Sequence, residues 1–358
     1  MSSVVRVGII GLGKMGQVRM RELARMNGVQ VLAGADPDGS THAAFPGVRC
    51  GTDYRSVLDS GIDAVFVCTP NRFTADVVVS ALDAGLHVFA EKPPGRDVSD
   101  VERIIQAELR NPAAKLKFGF NHRYHAGIQE AKRIIDSGRL GRVLWARGVY
   151  GKGGTAGFEK EWRSSKELCG GGILLDQGIH MLDLFRFFLG DFVEIKSMVS
   201  TAYWNIEVED NAFALLRDGE GRVAMLHSSS TQWKHRFNLE LYASRGYLLV
   251  NGILSSTRSY GDETITIAHR REDSETATGK PREEIMYFDT DPSWELEVLE
   301  FVEAIRTGGA IRYGTSEDAL AAMDMVHRIY EADRGPRPSH APGSRRRAPV
   351  SVLESGRG

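Results

Sequence analysis

The sequence predicts an α/β fold of two domains, an N-terminal parallel sheet covered by helices and a C-terminal domain with an antiparallel or mixed sheet. The chain has 358 residues, more than the roughly 100 to 200 of a typical single domain. Near-continuous apolar strands alternate with helices over residues 1–120, which is typical of a parallel sheet buried on both faces. After Asn121, strand-like runs follow one another without intervening helices, which favours antiparallel pairing.

In the first part, β-branched runs and amphipathic segments alternate regularly. Between them lie glycines and prolines that end each element. The predicted strands are residues 4–10, 29–35, 64–68, 86–90 and 115–119, and the predicted helices are residues 14–26, 73–84 and 98–110.

In the second part, strand signals dominate between helices at either end. Asp218-Gly219 and Glu220-Gly221 lie between two strand-like runs and indicate a hairpin. The predicted strands are residues 143–150, 192–204, 211–217, 222–231, 237–243 and 247–250, and the predicted helices are residues 126–137, 293–306 and 316–332.

The composition is that of an ordinary globular protein, with 42% hydrophobic and 26% charged residues. A net charge of −2 does not indicate nucleic-acid binding, and no apolar run approaches the roughly 18 residues of a membrane span. Three scattered cysteines do not form a disulfide framework or a metal knuckle. We therefore expect a soluble, cytoplasmic protein with no membrane or nucleic-acid partner.

The C-terminal residues 334–358 differ from the rest of the chain in their charge. They contain six arginines and one acid, a net +5, which leaves −7 for residues 1–333. We expect a disordered tail rich in arginine and proline, and a weak contact with an anionic partner is the alternative.

A glycine-rich turn after the first strand predicts a dinucleotide site. In its GxGxxG pattern the first glycine permits a tight turn, the second lets the backbone approach a pyrophosphate, and the third allows close helix packing. Asp36, 20 residues beyond the motif, would accept hydrogen bonds from a ribose hydroxyl. No basic residue stands beside Asp36 to hold a 2′-phosphate, so NAD is favoured over NADP; a glycine turn without a nucleotide is the alternative. The motif residues are Gly11, Leu12, Gly13, Lys14, Met15 and Gly16.

Two further strand ends are predicted to border the nicotinamide. Thr69, Pro70 and Asn71 follow one buried strand, and Glu91 and Lys92 follow the next. Ligands in such sheets bind outside the carboxyl ends of the strands. A lysine there would stabilise negative charge developing on a reacting hydroxyl oxygen, whereas the alternative for Lys92 is a solvated surface side chain.

A second constellation follows three glycines at residues 170–172. Asp176 and His180 are four residues apart, so a helix would place them on one face, and Asp183 could flank the imidazole. A histidine suits proton transfer at neutral pH, although His180 could also be a buried structural residue. No third ligand stands at convincing spacing, so we predict no metal.

Taken together and in order, these motifs resemble those of the Gfo/Idh/MocA oxidoreductases, named for glucose–fructose oxidoreductase and inositol dehydrogenase. The resemblance covers residues 4 to 333 and implies a Rossmann domain over residues 1–120. It also implies a substrate-binding and oligomerisation domain over residues 121–333, with an open, predominantly antiparallel sheet that forms a homodimer or homotetramer. By similarity, Lys92 and His180 are catalytic and Asp176 contacts substrate. The resemblance places on the substrate side Asn121, Arg123, Tyr124, Trp162 and Arg163.

The predicted function is hydride transfer between a nicotinamide cofactor and a secondary alcohol of a sugar, nucleotide-sugar or cyclitol. In this hypothesis, Lys92 and His180 serve the alcohol proton, and Asp176 binds an adjacent hydroxyl. One alternative is elimination or glycoside cleavage assisted by a retained NAD. The other is a non-catalytic regulator that senses nucleotides.

Overall fold

The computed structural model describes residues 4–255, 257–270 and 281–334. The predicted tail therefore lies outside the described residues, apart from Arg334 at the end of the last helix. Within the described ranges, no helix combines the length and the apolar character that a membrane crossing requires.

The first sheet has six strands in the order β3-β2-β1-β4-β5-β6, and all of its neighbouring strands are parallel. This is the Rossmann order, so the predicted fold class is confirmed for the N-terminal part. The strand that the sequence did not predict, β3, has only three residues, and the first is an exposed arginine. The strands are β1 (Val5–Ile10), β2 (Val29–Ala35), β3 (Arg49–Gly51), β4 (Ala64–Val67), β5 (His87–Ala90) and β6 (Leu116–Phe118).

Helices cover both faces of this sheet and begin at its carboxyl edge. Strand order reverses between β1 and β4, and a ligand crevice is expected at such a point. The helices are α1 (Lys14–Ala24), α2 (Arg55–Leu58), α3 (Asn71–Asp83) and α4 (Val98–Arg110).

The second sheet has eight strands in the order β14-β13-β12-β11-β7-β10-β9-β8. Only β7 and β10 pair in parallel, so the predominantly antiparallel sheet is confirmed. The sequence did not predict β13 and β14; most residues of β14 are exposed, which weakens its apolar signal. The strands are β7 (Val143–Gly153), β8 (Phe192–Ser200), β9 (Asn211–Asp218), β10 (Val223–Ser229), β11 (Thr231–Ala243), β12 (Gly246–Asn251), β13 (Glu263–His269) and β14 (Glu283–Phe288).

One of the C-terminal helices returns to the first sheet. The ring of Phe301 packs edge-on against Phe66 and Phe89, at centroid distances of 5.6 and 5.7 Å. Apolar side chains from the end of the chain therefore complete the Rossmann core, and a division at residue 120 remains a prediction. The helices of the second part are α5 (Ala126–Asp136), α6 (Lys166–Cys169), α7 (Ile179–Leu189), α8 (Ser293–Thr307) and α9 (Ser316–Asp333).

Helices α7 and α9 pack against one face of the second sheet. The other face exposes apolar side chains. Met198 pairs with Phe213 across β8 and β9, and Leu215 pairs with Met225 across β9 and β10. All four side chains are exposed, and adjacent apolar side chains of this kind mark interaction surfaces.

Candidate active site

A cavity of about 570 Å³ lies outside the carboxyl ends of the Rossmann strands and extends to the second part of the chain. Both halves of the sequence contribute to its wall. The cavity has the size and the position expected of a small-molecule site. Its wall includes Lys14, Met15, Glu91, Lys92, Asn121, His122, His125, Arg163, His180 and Trp294.

The glycine turn fits an anionic group. Gly11 has φ of +90°, and a Cβ there would lie 2.5 Å from the Cys68 carbonyl oxygen; a Cβ on Gly16 would lie 2.1 Å from the Gly11 carbonyl oxygen. By contrast, a Cβ on Gly13 would meet no atom within 4 Å. Helix α1 begins at Lys14, so its first N–H groups point toward this open space, and the cradle fits the pyrophosphate of a dinucleotide.

Asp36 lies at the end of β2, beside the glycine turn. Its carboxylate accepts hydrogen bonds from the backbone N–H groups of Leu12, at 2.8 Å, and Asp38, at 2.9 Å. The side chain thereby ties the turn to the strand end and holds a negative charge where a ribose would lie in this fold.

Residues 69–71 after β4, which were predicted to border the nicotinamide, make contacts within the protein. Pro70 precedes the first residue of α3, and Thr69 Oγ1 lies 3.3 Å from Thr74 Oγ1. The buried Asn71 donates from Nδ2 to the Cys169 carbonyl oxygen at 2.7 Å, so its amide joins α3 to α6.

Glu91 is held by a buried arginine that sequence reasoning missed. Arg19 Nε donates to Glu91 Oε1 at 2.6 Å, and its NH2 group donates to Glu297 Oε2 at 2.8 Å. Arg19 and Glu297 are fully buried, and burial raises the pKa of Glu297 to about 7 despite the adjacent guanidinium. Nothing in the pattern of α1 marks Arg19 as inward-facing, because arginine is ordinarily a surface residue.

Lys92 lies in the cavity wall and contacts Asp176. Its Nζ donates to the Asp176 backbone oxygen at 2.5 Å and lies 3.5 Å from the Asp176 carboxylate. Burial lowers the pKa of Lys92, although the carboxylate opposes that shift. The lysine is therefore a partly desolvated donor and not a solvated surface side chain.

Asp176 is surrounded by three cations. Its carboxylate lies 2.9 Å from Lys152 Nζ and 3.5 Å from both Lys92 Nζ and Arg163 Nε. Burial alone would raise the pKa of Asp176, but Lys152, Lys92 and Arg163 hold it well below its usual range. Sequence reasoning missed Lys152, whose only signal was its place in the glycine-rich stretch at residues 151–154.

His180 follows a single π-helical turn, Leu174–Gly178, that leads into α7. Such turns occur frequently at functional sites. Burial, together with the nearby Lys92 charge, lowers the pKa of His180 well below its usual range, so the imidazole is neutral at pH 7. Its Nδ1 is buried without a hydrogen-bond partner among the described residues, which leaves Nε2 for a ligand in the cavity.

A second imidazole, that of His122, packs against the imidazole of His180. The His122 ring stacks on His180 with centroids 3.7 Å apart and an interplanar angle of 18°. His122 Nδ1 lies 3.1 Å from Asn121 Oδ1, and Asn121 Nδ2 donates to Ser293 Oγ at 3.2 Å. Asn121 therefore lines the cavity and also contacts His122, one ring of the stacked pair.

Asp183 and Arg123 have other partners than the sequence suggested. Arg123 donates from Nε to Asp183 at 2.8 Å and from NH2 to Asp183 at 2.6 Å, and it also contacts Asp318 at 3.0 Å. Asp183 therefore flanks Arg123 and not the imidazole of His180. Arg123 was predicted on the substrate side, but its donors are taken by two buried carboxylates.

Tyr124 and Trp162 were also predicted to bind substrate. The Tyr124 hydroxyl accepts from Lys117 Nζ at 2.6 Å and donates to Glu300 at 2.7 Å, within a mostly buried network. The Arg163 guanidinium lies 4.3 Å from the Trp162 ring centroid, and Arg163, unlike Tyr124, lines the cavity.

Within the described ranges, no three His, Cys, Asp or Glu side chains converge as metal ligands.

Two family descriptions match the chain. Residues 5–116 match the "Oxidoreductase family, NAD-binding Rossmann fold", and residues 128–249 match the "GFO/IDH/MocA C-terminal domain". The two matches are consecutive and together cover more than half of the chain.

Curated relatives and solved structures agree with these matches. The chain is 29% identical over 235 residues to levoglucosan dehydrogenase of Pseudarthrobacter phenanthrenivorans, which covers 61% of this chain and 60% of the relative. It is 31% identical over 200 residues to inositol 2-dehydrogenase of Salmonella paratyphi B, covering 54% and 57%. The chain thus spans less than two thirds of the length of these relatives. A solved structure of levoglucosan dehydrogenase in complex with NADH shares the fold, with a TM-score of 0.80 and 21% identity over 92% of this chain and 97% of that one.

Proposed function

The chain belongs to the Gfo/Idh/MocA oxidoreductase family, and on that premise we propose that it is an NAD-dependent dehydrogenase of polyols. The reaction is hydride transfer between nicotinamide and a secondary alcohol carbon of a sugar, nucleotide-sugar or cyclitol. The observation that carries the proposal is that Lys92 and His180 line one cavity together with the start of α1.

The glycine turn and Asp36 would hold the pyrophosphate and a ribose of the cofactor. The open side of Gly13 and the N–H groups at Lys14 and Met15 suit the pyrophosphate, and Asp36 suits a ribose hydroxyl. The negative charge of Asp36 would repel a 2′-phosphate, which favours NAD over NADP. When bound, the nicotinamide ring accepts or returns the hydride.

His180 is the proposed general base. Because its pKa is lowered, the neutral imidazole can accept a hydroxyl proton at Nε2 at neutral pH. The stacked His122 ring restrains the plane of the imidazole, so the accepting lone pair keeps one direction. In the reductive direction, the same nitrogen would return the proton.

Lys92 is the proposed polarising residue. Its bond to the Asp176 backbone oxygen fixes Nζ at the cavity wall, where the remaining N–H groups can donate to the reacting oxygen. A donor held in this way stabilises negative charge that develops on the oxygen during hydride transfer. Asp176, kept anionic by its three cations, can accept from a neighbouring hydroxyl.

A polyol suits the wall because each buried hydroxyl needs a hydrogen-bonding partner. Relatives named for levoglucosan and inositol support the same class. We also propose that the protein forms a homodimer or homotetramer whose interface covers the exposed face of the second sheet. A measurement of the molar mass in solution would test this proposal.

The direct test is a panel of cyclitols, free sugars and nucleotide-sugars with NAD and with NADP, followed at the absorbance of reduced nicotinamide. We expect turnover with NAD and at least one member of the panel. Product formation without net release of NADH would instead favour elimination or glycoside cleavage with a retained cofactor. No turnover and no product with any member would contradict the proposal.

A further inference from the structure

A third imidazole belongs to the cavity wall and has no role in the proposed proton transfer. His125 immediately precedes α5 and is 2% exposed, yet it lines the same cavity as His180. The His122 ring lies between them, with centroids 5.6 Å from His125 and 3.7 Å from His180. His125 therefore lies one ring beyond the proposed reaction centre.

His125 is oriented by a buried carboxylate on β13. Glu263 Oε2 lies 2.9 Å from His125 Nδ1, and Glu263 also accepts from the backbone N–H groups of Gly127, at 2.6 Å, and Leu254, at 3.1 Å. Burial would raise the pKa of Glu263, but its bonds to His125 and to these backbone groups lower it. Glu263 thus remains ionised and can only accept hydrogen bonds.

This contact determines which ring nitrogen carries the proton. Because Glu263 accepts, Nδ1 of His125 donates, and the Asp291 carboxylate lies 3.7 Å from the same nitrogen. All hydrogen bonds of the ring among the described residues use Nδ1, which leaves Nε2 without a hydrogen-bond partner there. A carboxylate on one nitrogen commonly sets the tautomer and strengthens the other nitrogen as an acceptor.

The neighbouring His122 does not share this arrangement. Its Nδ1 lies next to Asn121 Oδ1, an amide and not a carboxylate oxygen, and its Nε2 is buried without a hydrogen-bond partner among the described residues. Of these two rings, only His125 combines a carboxylate partner on one nitrogen with a second nitrogen that has no hydrogen bond among the described residues. The feature is therefore specific to the His125 and Glu263 pair.

We propose that His125, positioned by Glu263, is a second substrate-recognition residue that forms a hydrogen bond through Nε2 with a hydroxyl other than the one oxidised. The inference rests on the proposed function, since it assigns part of the polyol to this side of the cavity. A buried imidazole nitrogen selects a substrate that brings a hydroxyl to it and rejects an analogue in which that hydroxyl is missing or O-methylated, because Nε2 is then left unpaired or crowded. His125 would thus determine which polyols fit.

The test compares His125→Leu with the wild-type enzyme on the best substrate of the panel and on its monodeoxy and O-methyl analogues. We expect the wild type to discriminate against one position by about 10- to 100-fold in kcat/KM. His125→Leu should raise KM for the parent substrate and lose that discrimination at that position alone. Its KM for NAD and the pH dependence of kcat should stay unchanged, which a general loss of structure would not allow.

Two further variants keep the test decisive. His125→Gln retains a polar side chain and should recover part of the affinity, whereas Glu263→Gln removes the charge that sets the tautomer and should weaken discrimination. His327→Leu is the matched control, because His327 pairs with Glu331 at 3.1 Å on the exposed face of α9. We expect that control to match the wild type.

The outcomes separate this inference from the proposed function. If the wild type oxidises a polyol and His125→Leu keeps the same discrimination at every position, the inference is overturned and the proposed function stands. If calorimetric titration shows that the NAD-loaded wild type binds no polyol, both are overturned. Loss of discrimination at one position, with KM for NAD unchanged, supports both.

Discussion

The Lys92 ammonium group donates to the backbone oxygen of Asp176 at 2.5 Å and lies 3.5 Å from the carboxylate of the same residue. One residue from the second part of the chain thus fixes the lysine that follows a Rossmann strand. The contact crosses from β5 to the π-helical turn before His180, so the two proposed proton-handling residues keep a defined separation.

Replacing Lys92 with methionine tests the polarising role. Methionine keeps most of the side-chain volume but removes the charge and the donors at the reacting oxygen, so kcat should fall by about 100- to 1,000-fold. Affinity for NADH, measured by fluorescence titration, should change little because the glycine turn is untouched. Near-normal turnover would remove Lys92 from the mechanism.

The change Lys152→Met tests how Asp176 is positioned. Lys152 Nζ lies 2.9 Å from the Asp176 carboxylate, and its loss leaves Lys92 and Arg163 as the adjacent cations. We expect KM for the polyol to rise by about 10-fold with a smaller change in kcat, since a misplaced acceptor weakens substrate binding first. Steady-state kinetics give the split, and Lys160→Met, at an exposed position, is the control. A fall in kcat at constant KM would instead assign Lys152 to the chemical step.

The elements that the sequence predicted well were those with strong local signals. Strand β2 and helix α4 have the predicted bounds, because a largely apolar run marks the strand and an amphipathic segment marks the helix. Strand β14 was missed because it is largely exposed and therefore lacks the alternation that marks a half-buried strand. Motif context likewise located Lys92 and His180 at one cavity.

The parts of the site that could not be predicted depend on contacts distant in sequence. Arg19 meets Glu297 across 278 positions, and His125 meets Glu263 across 138. No local pattern reports such pairs. Arg123 stands in a motif and was given a substrate role, but its partner Asp318 lies 195 positions away. A motif indicates that a residue matters and does not say which contact it makes.

Stability should depend on pH through the stacked imidazoles. Burial, and for His180 the Lys92 charge, lowers the pKa of His122 and His180 below the usual value of histidine. The unfolded chain therefore binds protons that the folded protein does not, and the free energy of unfolding should fall as the pH drops below about 6.5. Urea denaturation between pH 5 and pH 8 measures this slope.

The variant His122→Phe should make that slope shallower, because one titrating group disappears while a ring still stacks on His180. His327→Leu, at an exposed position, should leave the slope as it is. An identical slope in His122→Phe and the wild type would mean that His122 does not contribute to the pH dependence.

The change Asp36→Asn tests cofactor choice. Its amide oxygen can still accept from the Leu12 N–H group, which lies 2.8 Å from the carboxylate, but the amide nitrogen cannot accept from the Asp38 N–H group, which lies 2.9 Å from the other oxygen. Removing the charge should raise KM for NAD by about 10-fold and lower KM for NADP, since the repulsion of a 2′-phosphate is lost. The ratio of kcat/KM values for the two cofactors measures the shift. Asp38→Asn is the control, because the Asp38 side chain accepts a hydrogen bond from Ser40 in its own loop. An equal shift in that variant would mean that the overall negative charge of the loop, and not Asp36 itself, determines the choice of cofactor.

Whether Arg123 is structural or binds substrate can be decided by a pair of variants. Arg123→Met leaves the buried Asp183 without its bidentate partner, and breaking a buried ion pair in this way costs about 3–5 kcal/mol of unfolding free energy. The double variant Arg123→Met with Asp183→Leu removes both charges and should recover much of that loss, because an apolar pair of similar size replaces an ion pair at little cost. Asp318 keeps Arg186 as a partner at 2.8 Å in both variants.

Thermal unfolding measures the recovery, and the kinetics of the double variant assign the role. If Arg123 only supports the fold, the double variant should regain stability and keep KM for the polyol within about threefold of the wild type, since no substrate contact was removed. If Arg123 binds substrate, stability should return while KM stays at least about 10-fold raised, because a lost charged hydrogen bond is not restored by packing. The buried geometry of Arg123, with its donors on Asp183 and Asp318, leads us to expect the first result.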